Sequence, residues 1–233
     1  IYEFGFELLN SDLKSLQIFS SKLETSKYLR LRKIPYIEDL KFEECFSNNR
    51  NNNRTLILKP SLSAGSEKIF IVKDKFSLME IDKKINYSYI IQKYYKDHLG
   101  SFSMLCKNGN NILLTCNKHI VKIEKNEIKQ IGSEFGKYEN FRNEFQKLAD
   151  QISNNFKGLY GFIGIDVVRD NKVWKILEIN TRLTSSFVHT NKSYSYNLYK
   201  VIKMFYLKDI LESEFMPRLV NIKKVIFWNE KKN

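Results

Sequence analysis

Asp166, Glu178 and Asn180 are three oxygen-bearing side chains on two apolar runs, Gly161 to Arg169 and Lys172 to Ile179, separated by a polar turn. Such runs read as an antiparallel hairpin. Glu178 and Asn180 lie two residues apart and therefore share a face of their strand. The turn decides whether Asp166 joins them. A two-residue turn pairing Val168 with Val173 puts Asp166 on the opposite side, whereas a three-residue turn, Asp170-Asn171-Lys172, pairs it with Ile176 and brings all three groups together. Diagonal neighbours on adjacent strands sit roughly 7 Å apart. Two carboxylates at about 6 Å repel by roughly 3 kcal/mol at an effective dielectric near 20, a penalty that a divalent cation between them reverses. All-oxygen donors suit Mg²⁺, with Mn²⁺ as the alternative, and leave positions for water or phosphate oxygens. Arg182, two residues past Asn180, adds a planar fork able to hold an anion beside the cation. The competing reading is a solvated acidic pair balanced by Lys172 and Lys175, with Arg182 on the surface.

A second group of residues suits phosphate. Lys59 interrupts the apolar run Leu56-Ile57-Leu58-Lys59-Pro60, where an uncompensated ammonium is costly, so it is expected to face a ligand. The small residues that follow, Ser61, Leu62, Ser63, Ala64, Gly65 and Ser66, can lay N–H groups and hydroxyls against phosphate oxygens. Their order matches neither a P-loop nor a dinucleotide fingerprint, and a plain turn would look the same. Gln92, Lys93, Tyr94 and Tyr95 lead from the apolar Ile90-Ile91 into a polar connection, where one carbonyl and one N–H could meet a planar base. His98, His119 and His189 have no partner at ligand spacing and are assigned non-metal roles. No serine, histidine and acid set for nucleophilic catalysis stands out.

These residues need elements to hold them. Ser21 to Glu24 has the form of a capping box, opening a helix that ends near Lys33 because Pro35 disfavours helical geometry in Ile34. Strands are expected over Thr55 to Pro60, Lys68 to Val72, Tyr87 to Lys93, Phe102 to Lys107, Ile112 to Asn117 and His119 to Ile123. A helix is expected near Lys75 to Lys84, and Asn48 to Arg54 reads as an exposed loop. Phe141, Phe145, Leu148, Ile152 and Phe156 recur at helical spacing over Tyr138 to Phe156, and a further amphipathic helix runs from Asn191 to Leu207. Helices mixed with mainly antiparallel sheet indicate an α+β class with two lobes.

Composition excludes several classes. With 233 residues, 42% hydrophobic, the chain can bury a substantial core, and no apolar run approaches the roughly 18 residues of a membrane span. Cys45, Cys106 and Cys116 have no metal-ligand spacing and suit reduced thiols, so a cytoplasmic location is expected. The net charge of +13 favours an anionic partner, but the lysines are scattered through every element, which disfavours a nucleic-acid face.

Taken in order, Ser21-Lys22, Leu58-Lys59-Pro60 with its loop, Ile91 to Tyr95, Gly164-Ile165-Asp166-Val167 and Leu177 to Arg182 resemble the ATP-grasp superfamily. The resemblance implies ATP held between two α+β lobes with antiparallel sheets. Residues 1–20 would be a remnant of an N-terminal domain or a linker, 21–35 a linking helix, 36–93 the lid, and 94–233 the large subdomain with the metal hairpin. It further implies that Lys22 and Lys59 contact the phosphates and that Ser61, Ser63, Ala64, Gly65 and Ser66 cover them. The Lys93 carbonyl and the Tyr95 N–H would grip the base, with Gln92 and Tyr94 beside them. Asp166, Glu178 and Asn180 would hold Mg²⁺, and Arg182, with Lys59, would serve the chemistry. The activity implied is carboxylate–amine ligation through an acyl phosphate. Within the superfamily, Glu178 to Phe187 looks most like tyramine–glutamate ligases and the ligase of pyrrolysine synthesis, although Thr181 replaces a proline common there. Those relatives begin with a domain of which about 20 residues would remain here, so a partner subunit or an oligomer is expected to supply the missing surface. Two other functions compete: a basic nucleic-acid-binding module without catalysis, and a nucleotide-binding remnant.

Overall fold

Ser21 caps a helix as expected, its hydroxyl accepting from the Glu24 N–H at 3.3 Å, but the Glu24 carboxylate turns to Lys27 instead of completing the box. The computed structural model describes residues 9–45, 55–62, 68–83, 88–96, 98–184, 186–193, 198–208 and 224–227. Helix α1 (Leu13–Ser20) precedes α2 (Lys22–Leu31) and is capped by Asp12, whose carboxylate accepts from the Ser15 N–H at 2.7 Å. The sequence reading assigned no helix there. A short α3 (Phe42–Cys45) follows.

The segment expected to form the lid contains β1 (Leu56–Pro60), β2 (Ile69–Val72), α4 (Lys75–Asp82) and β3 (Tyr89–Lys93), with β1 central and antiparallel to both neighbours. Leu56, Leu58, Val72, Leu78 and Ile91 make its small core. The large lobe begins with β4 (Leu99–Lys107), β5 (Asn110–Glu124) and β6 (Glu127–Phe135). The two short strands expected between Ile112 and Ile123 are thus one long β5, and β6 was not foreseen. A 3₁₀ turn (Glu139–Phe141) leads into α5 (Arg142–Asn155), then the hairpin β7 (Gly161–Asp170) and β8 (Val173–Asn180). Across the span of the helix expected from Asn191 to Leu207 the described residues form α6 (Ser186–Ser193) and α7 (Leu198–Lys208), with residues 194–197 outside the described residues. Strand β9 (Lys224–Phe227) pairs with β6.

Among the described residues the strands form one nine-stranded sheet, with path β3-β1-β2-β6-β5-β4-β7-β8 and β9 beside β6. The two lobes therefore share a sheet, joined where Ile69 and Phe70 pair with Ile128 and Glu127. The main core lies between the large-lobe strands and α1, α2 and α5, where Phe102, Phe145, Ile163 and Trp174 are buried. Burying an aromatic side chain of this kind is worth roughly 1.5–3 kcal/mol. On the opposite face, Leu105, Ile112 and Phe162 pack against Leu198, Val201 and Phe205 of α7.

The segment between α2 and the lid ties the two ends of the sheet path together. Ile37 N–H donates to Ile176 O at 3.1 Å and Ile176 N–H to Pro35 O at 3.0 Å, while Leu40 N–H donates to Ile91 O at 2.8 Å. Residues 35–40 thus bridge β8 to β3.

Candidate functional site

The hairpin that carries the acidic residues closes on a two-residue turn, but with Asp170 opposite Val173 and Val168 opposite Lys175, not with Val168 opposite Val173 as expected. Its loop is the two-residue Asn171-Lys172, both at positive φ (48° and 69°), the backbone that two-residue hairpin turns require. From Asp170↔Val173 the ladder runs regularly to Val167↔Ile176, then skips Leu177, so that Asp166 stands directly opposite Glu178 and Gly164 opposite Asn180. The bulge changes the parity of β8. Trp174 and Ile176 point into the core, and so does Ile179, which releases Glu178 and Asn180 to the other face. Glu178 and Asn180 therefore share that face with Asp166, and the three predicted oxygen donors lie together.

Beyond the hairpin, residues of six strands, β1 to β6, and the first residue of α2 complete the site. A cleft enclosing about 820 Å³, including space open to solvent, is lined by Lys22, Lys59, His119, Asp166 and Glu178 among polar residues, with Ile57, Val121, Ile128 and Leu177 among apolar ones. Lys93, Tyr94 and Tyr95 line its far end.

Lys22 is the first residue of α2, its N–H donating to Ser61 O at 3.1 Å and its ammonium 3.5 Å from Glu178 Oε1. Lys59, on β1 opposite Ile90, is buried at 5% exposure. Burial pulls its pKa down to about 8, against the attraction of Glu178 and with the repulsion of Lys22. Glu178 is pushed the other way, above the usual carboxylate range, by burial and then by Asp166 across the ladder, with Lys22 and Lys59 opposing. Asp166 accepts from Asn180 Nδ2 at 3.4 Å and meets His119 Nε2 at 3.1 Å. Two carboxylates facing one another, one of them disfavoured as an anion by the other, form a donor set that fits a divalent cation; with Asn180 they supply oxygens only, the ligand chemistry of Mg²⁺.

The base end is only partly assembled. Tyr94 N–H donates to Thr55 O at 2.9 Å, and the antiparallel alternation then turns the Lys93 carbonyl away from β1. Lys93 and Tyr95 converge on Asp170, the Lys93 ammonium at 3.9 Å and the Tyr95 hydroxyl at 3.3 Å, and burial beside that carboxylate pushes the Tyr95 phenol up to about 12. Gln92 shares the face of Ile57 but does not line the cleft. Its amide donates to Ile37 O at 3.3 Å and to Asp39 at 2.8 Å. Ser61 is tied by N–H and hydroxyl to Ser88 O, at 2.9 and 3.1 Å. Ser63, Ala64, Gly65 and Ser66 lie outside the described residues. Arg182 is exposed, stands away from the cleft lining, and donates to Leu183 O at 3.4 Å.

His119 and Gln130 are site residues the sequence reading did not identify as such. His119 shares its parity on β5 with Asn117, and Gln130 sits on the strand that went unforeseen, so no pattern drew them together in sequence. A second, outer cavity on the other side of the Lys93–Tyr95 link is lined by Arg30, Lys33, Tyr36, Lys93, Tyr95 and Lys175.

A family model described as an ATP-grasp domain matches residues 19–186. No curated protein matches the chain. Solved structures similar in fold include an ATP-grasp superfamily protein from Archaeoglobus fulgidus, 20% identical with a TM-score of 0.63, covering 86% of this chain and 57% of that one. An L-amino acid ligase from Bacillus licheniformis is 17% identical (TM-score 0.64; 88% of this chain, 52% of that one). A biotin carboxylase from Campylobacter jejuni, solved with β,γ-ATP, is 14% identical (TM-score 0.68; 94% and 52%). The chain spans about half the length of these proteins.

Proposed function

The chain belongs to the ATP-grasp family, and on that premise we propose that it is an ATP-dependent ligase joining a carboxylate to an amine through an acyl phosphate. The observation that carries this reading is the meeting of Asp166 and Glu178 with Lys22 and Lys59 in one cleft roofed by the lid. Lys22 and Lys59 would hold the triphosphate tail as compact cations, and phosphate would favour the charged form of the buried Lys59. Asp166, Glu178 and Asn180 would hold Mg²⁺, which when bound neutralises charge on the phosphate oxygens being displaced. The Lys93 carbonyl and Tyr95 N–H would orient the base, with Gln92 and Tyr94 beside it and the loop from Ser61 to Ser66 over the phosphates. Apolar Ile57, Val121 and Ile128 exclude water from the transferred group.

In this reading the carboxylate substrate attacks the γ-phosphate, ADP leaves, and the amine displaces phosphate from the acyl carbon. The chain's part is positioning and charge stabilisation. Arg182, two residues beyond Asn180 and outside the cleft lining, would steady the acyl phosphate. The run from Glu178 to Phe187 supports amino acids, and among them a tyramine–glutamate pair, as first candidates for the two substrates. The location expected is cytoplasmic, where ATP and Mg²⁺ are supplied; among the described residues no helix is long and apolar enough to cross a membrane. The test is Mg²⁺- and ATP-dependent phosphate release over a panel of amino acids paired with amines. Release that needs both partners supports ligation, and an absence of release with every pair counts against it.

A further inference from the structure

The sequence reading left His119 without a partner, yet in the structure it has three. Its Nε2 lies 3.1 Å from Asp166 Oδ1, and its Nδ1 lies 2.6 Å from Gln130 Nε2 and 3.2 Å from Ser133 Oγ. An amide N–H aimed at Nδ1 makes that nitrogen the acceptor, so the ring's proton sits on Nε2 and is donated to Asp166. Gln130 is itself steadied by Ser133, its amide donating to the hydroxyl at 3.3 Å. The three residues come from two strands held in register, His119 lying directly opposite Ser133. Asp166 is thus gripped from two sides, by His119 at one carboxylate oxygen and by Asn180 at the other.

We propose that His119, oriented by Gln130 and Ser133, is a positioning residue that fixes the Asp166 carboxylate in the geometry that receives the divalent cation. The inference rests on the metal-binding role given to Asp166 above. A carboxylate on a short side chain can rotate about its last two bonds, and one fixed hydrogen bond to a single oxygen removes that freedom before the cation arrives. Partners of this kind typically carry ten- to hundredfold in metal affinity. Their removal should therefore raise the Mg²⁺ concentration needed while leaving the saturated complex intact.

The experiment titrates Mg²⁺ against a fixed excess of ADP and reads the rise in melting temperature, with Mg²⁺-dependent ATP hydrolysis as a second readout. His119→Ala should move the Mg²⁺ midpoint up about ten- to hundredfold and still reach the wild-type plateau at high Mg²⁺. His119→Gln, whose amide N–H stands near the place of Nε2, should recover most of the shift, and His119→Asn, which is too short, should not. Gln130→Ala should move the midpoint in the same direction by less. An unchanged midpoint in His119→Ala overturns the proposal, as does a lower melting temperature without nucleotide at an unchanged midpoint, which is a purely structural effect. Should the alanine variant fail to fold, the glutamine and asparagine variants decide, and equal midpoints for the two overturn it. A wild-type protein whose melting temperature ignores Mg²⁺ removes the metal role of Asp166 itself, and the proposal with it.

Discussion

Lys59 carries an ammonium into a site where it is almost completely buried, and its pKa of about 8 records the cost. A folded pKa below the unfolded 10.5 means that the folded state releases its proton first. The penalty, about 3 kcal/mol, is fully present below pH 8 and is relieved as pH rises from 8 towards 10.5. A bound phosphate reverses the preference, since it favours the charged amine. Nucleotide affinity should therefore fall as pH passes about 8, read from ADP titrations between pH 7 and 9.5. Lys59→Arg, which keeps its charge throughout, should flatten the profile; a flat profile in the wild-type protein removes Lys59 from phosphate binding. Glu178 answers a different question. Replacing it with glutamine keeps the shape and removes the charge, so Mg²⁺-dependent phosphate release should be lost with the melting temperature little changed. Normal hydrolysis by Glu178→Gln would take the metal away from this hairpin.

At the scale of elements, the bulge at Leu177 explains what sequence could and could not show. Trp174 and Ile176 followed by Ile179 break the two-residue alternation of buried positions, and that skip of three is the written trace of the bulge. Without allowing for it, only an odd-length turn could bring Asp166 to Glu178, and the actual turn has two residues. The helical spacing of Phe145, Leu148 and Ile152 was legible because a single buried stripe fixes it. Strand β6 was not, because Glu127 to Phe135 mixes Lys, Gln, Gly and Ser with few apolar residues, and its place is set by neighbours on both sides rather than by its own pattern. Gly164 shows the same dependence on packing. A Cβ built there would come within 2.6 Å of Thr184 Cγ2, just after β8 ends. Gly164→Ala should destabilise by roughly 1–3 kcal/mol, seen as a lower urea midpoint. Thr184→Ser removes that methyl and keeps the hydroxyl that meets Ser186 at 2.6 Å, so the double variant should recover most of the loss. Independent, additive effects would show that the clash does not decide the glycine.

For the molecule as a whole, a cleft built from both lobes predicts that its ligand stabilises the entire fold. At 100 times its dissociation constant, Mg²⁺-ATP should add about 2.7 kcal/mol, read as a higher melting temperature, and no shift at millimolar concentration would count against the site. The charge of +13 makes a rival prediction. Polyanion binding that weakens steeply with salt, while Mg²⁺-ATP has no effect, would favour a nucleic-acid partner. The two-lobed α+β plan and the family were legible from five short motifs, because each sets a chemical group on a strand or at a helix start. That the lobes share one sheet was not, since the two pairings joining them, at Ile69 and Phe70, leave no mark on composition.

The strap formed by residues 35–40 has a mechanical consequence. Because it holds β3 at one end and β8 at the other, the sheet is laced into a belt, and the lid is not a flap hanging from a single joint. A belt cannot gape at one edge without slackening elsewhere, so opening the cleft must twist the join between β2 and β6 or break the Leu40–Ile91 bond. The Leu40–Ile91 bond, with the Gln92 amide that meets Ile37 and Asp39 beside it, is therefore one of the two places where such a belt can give.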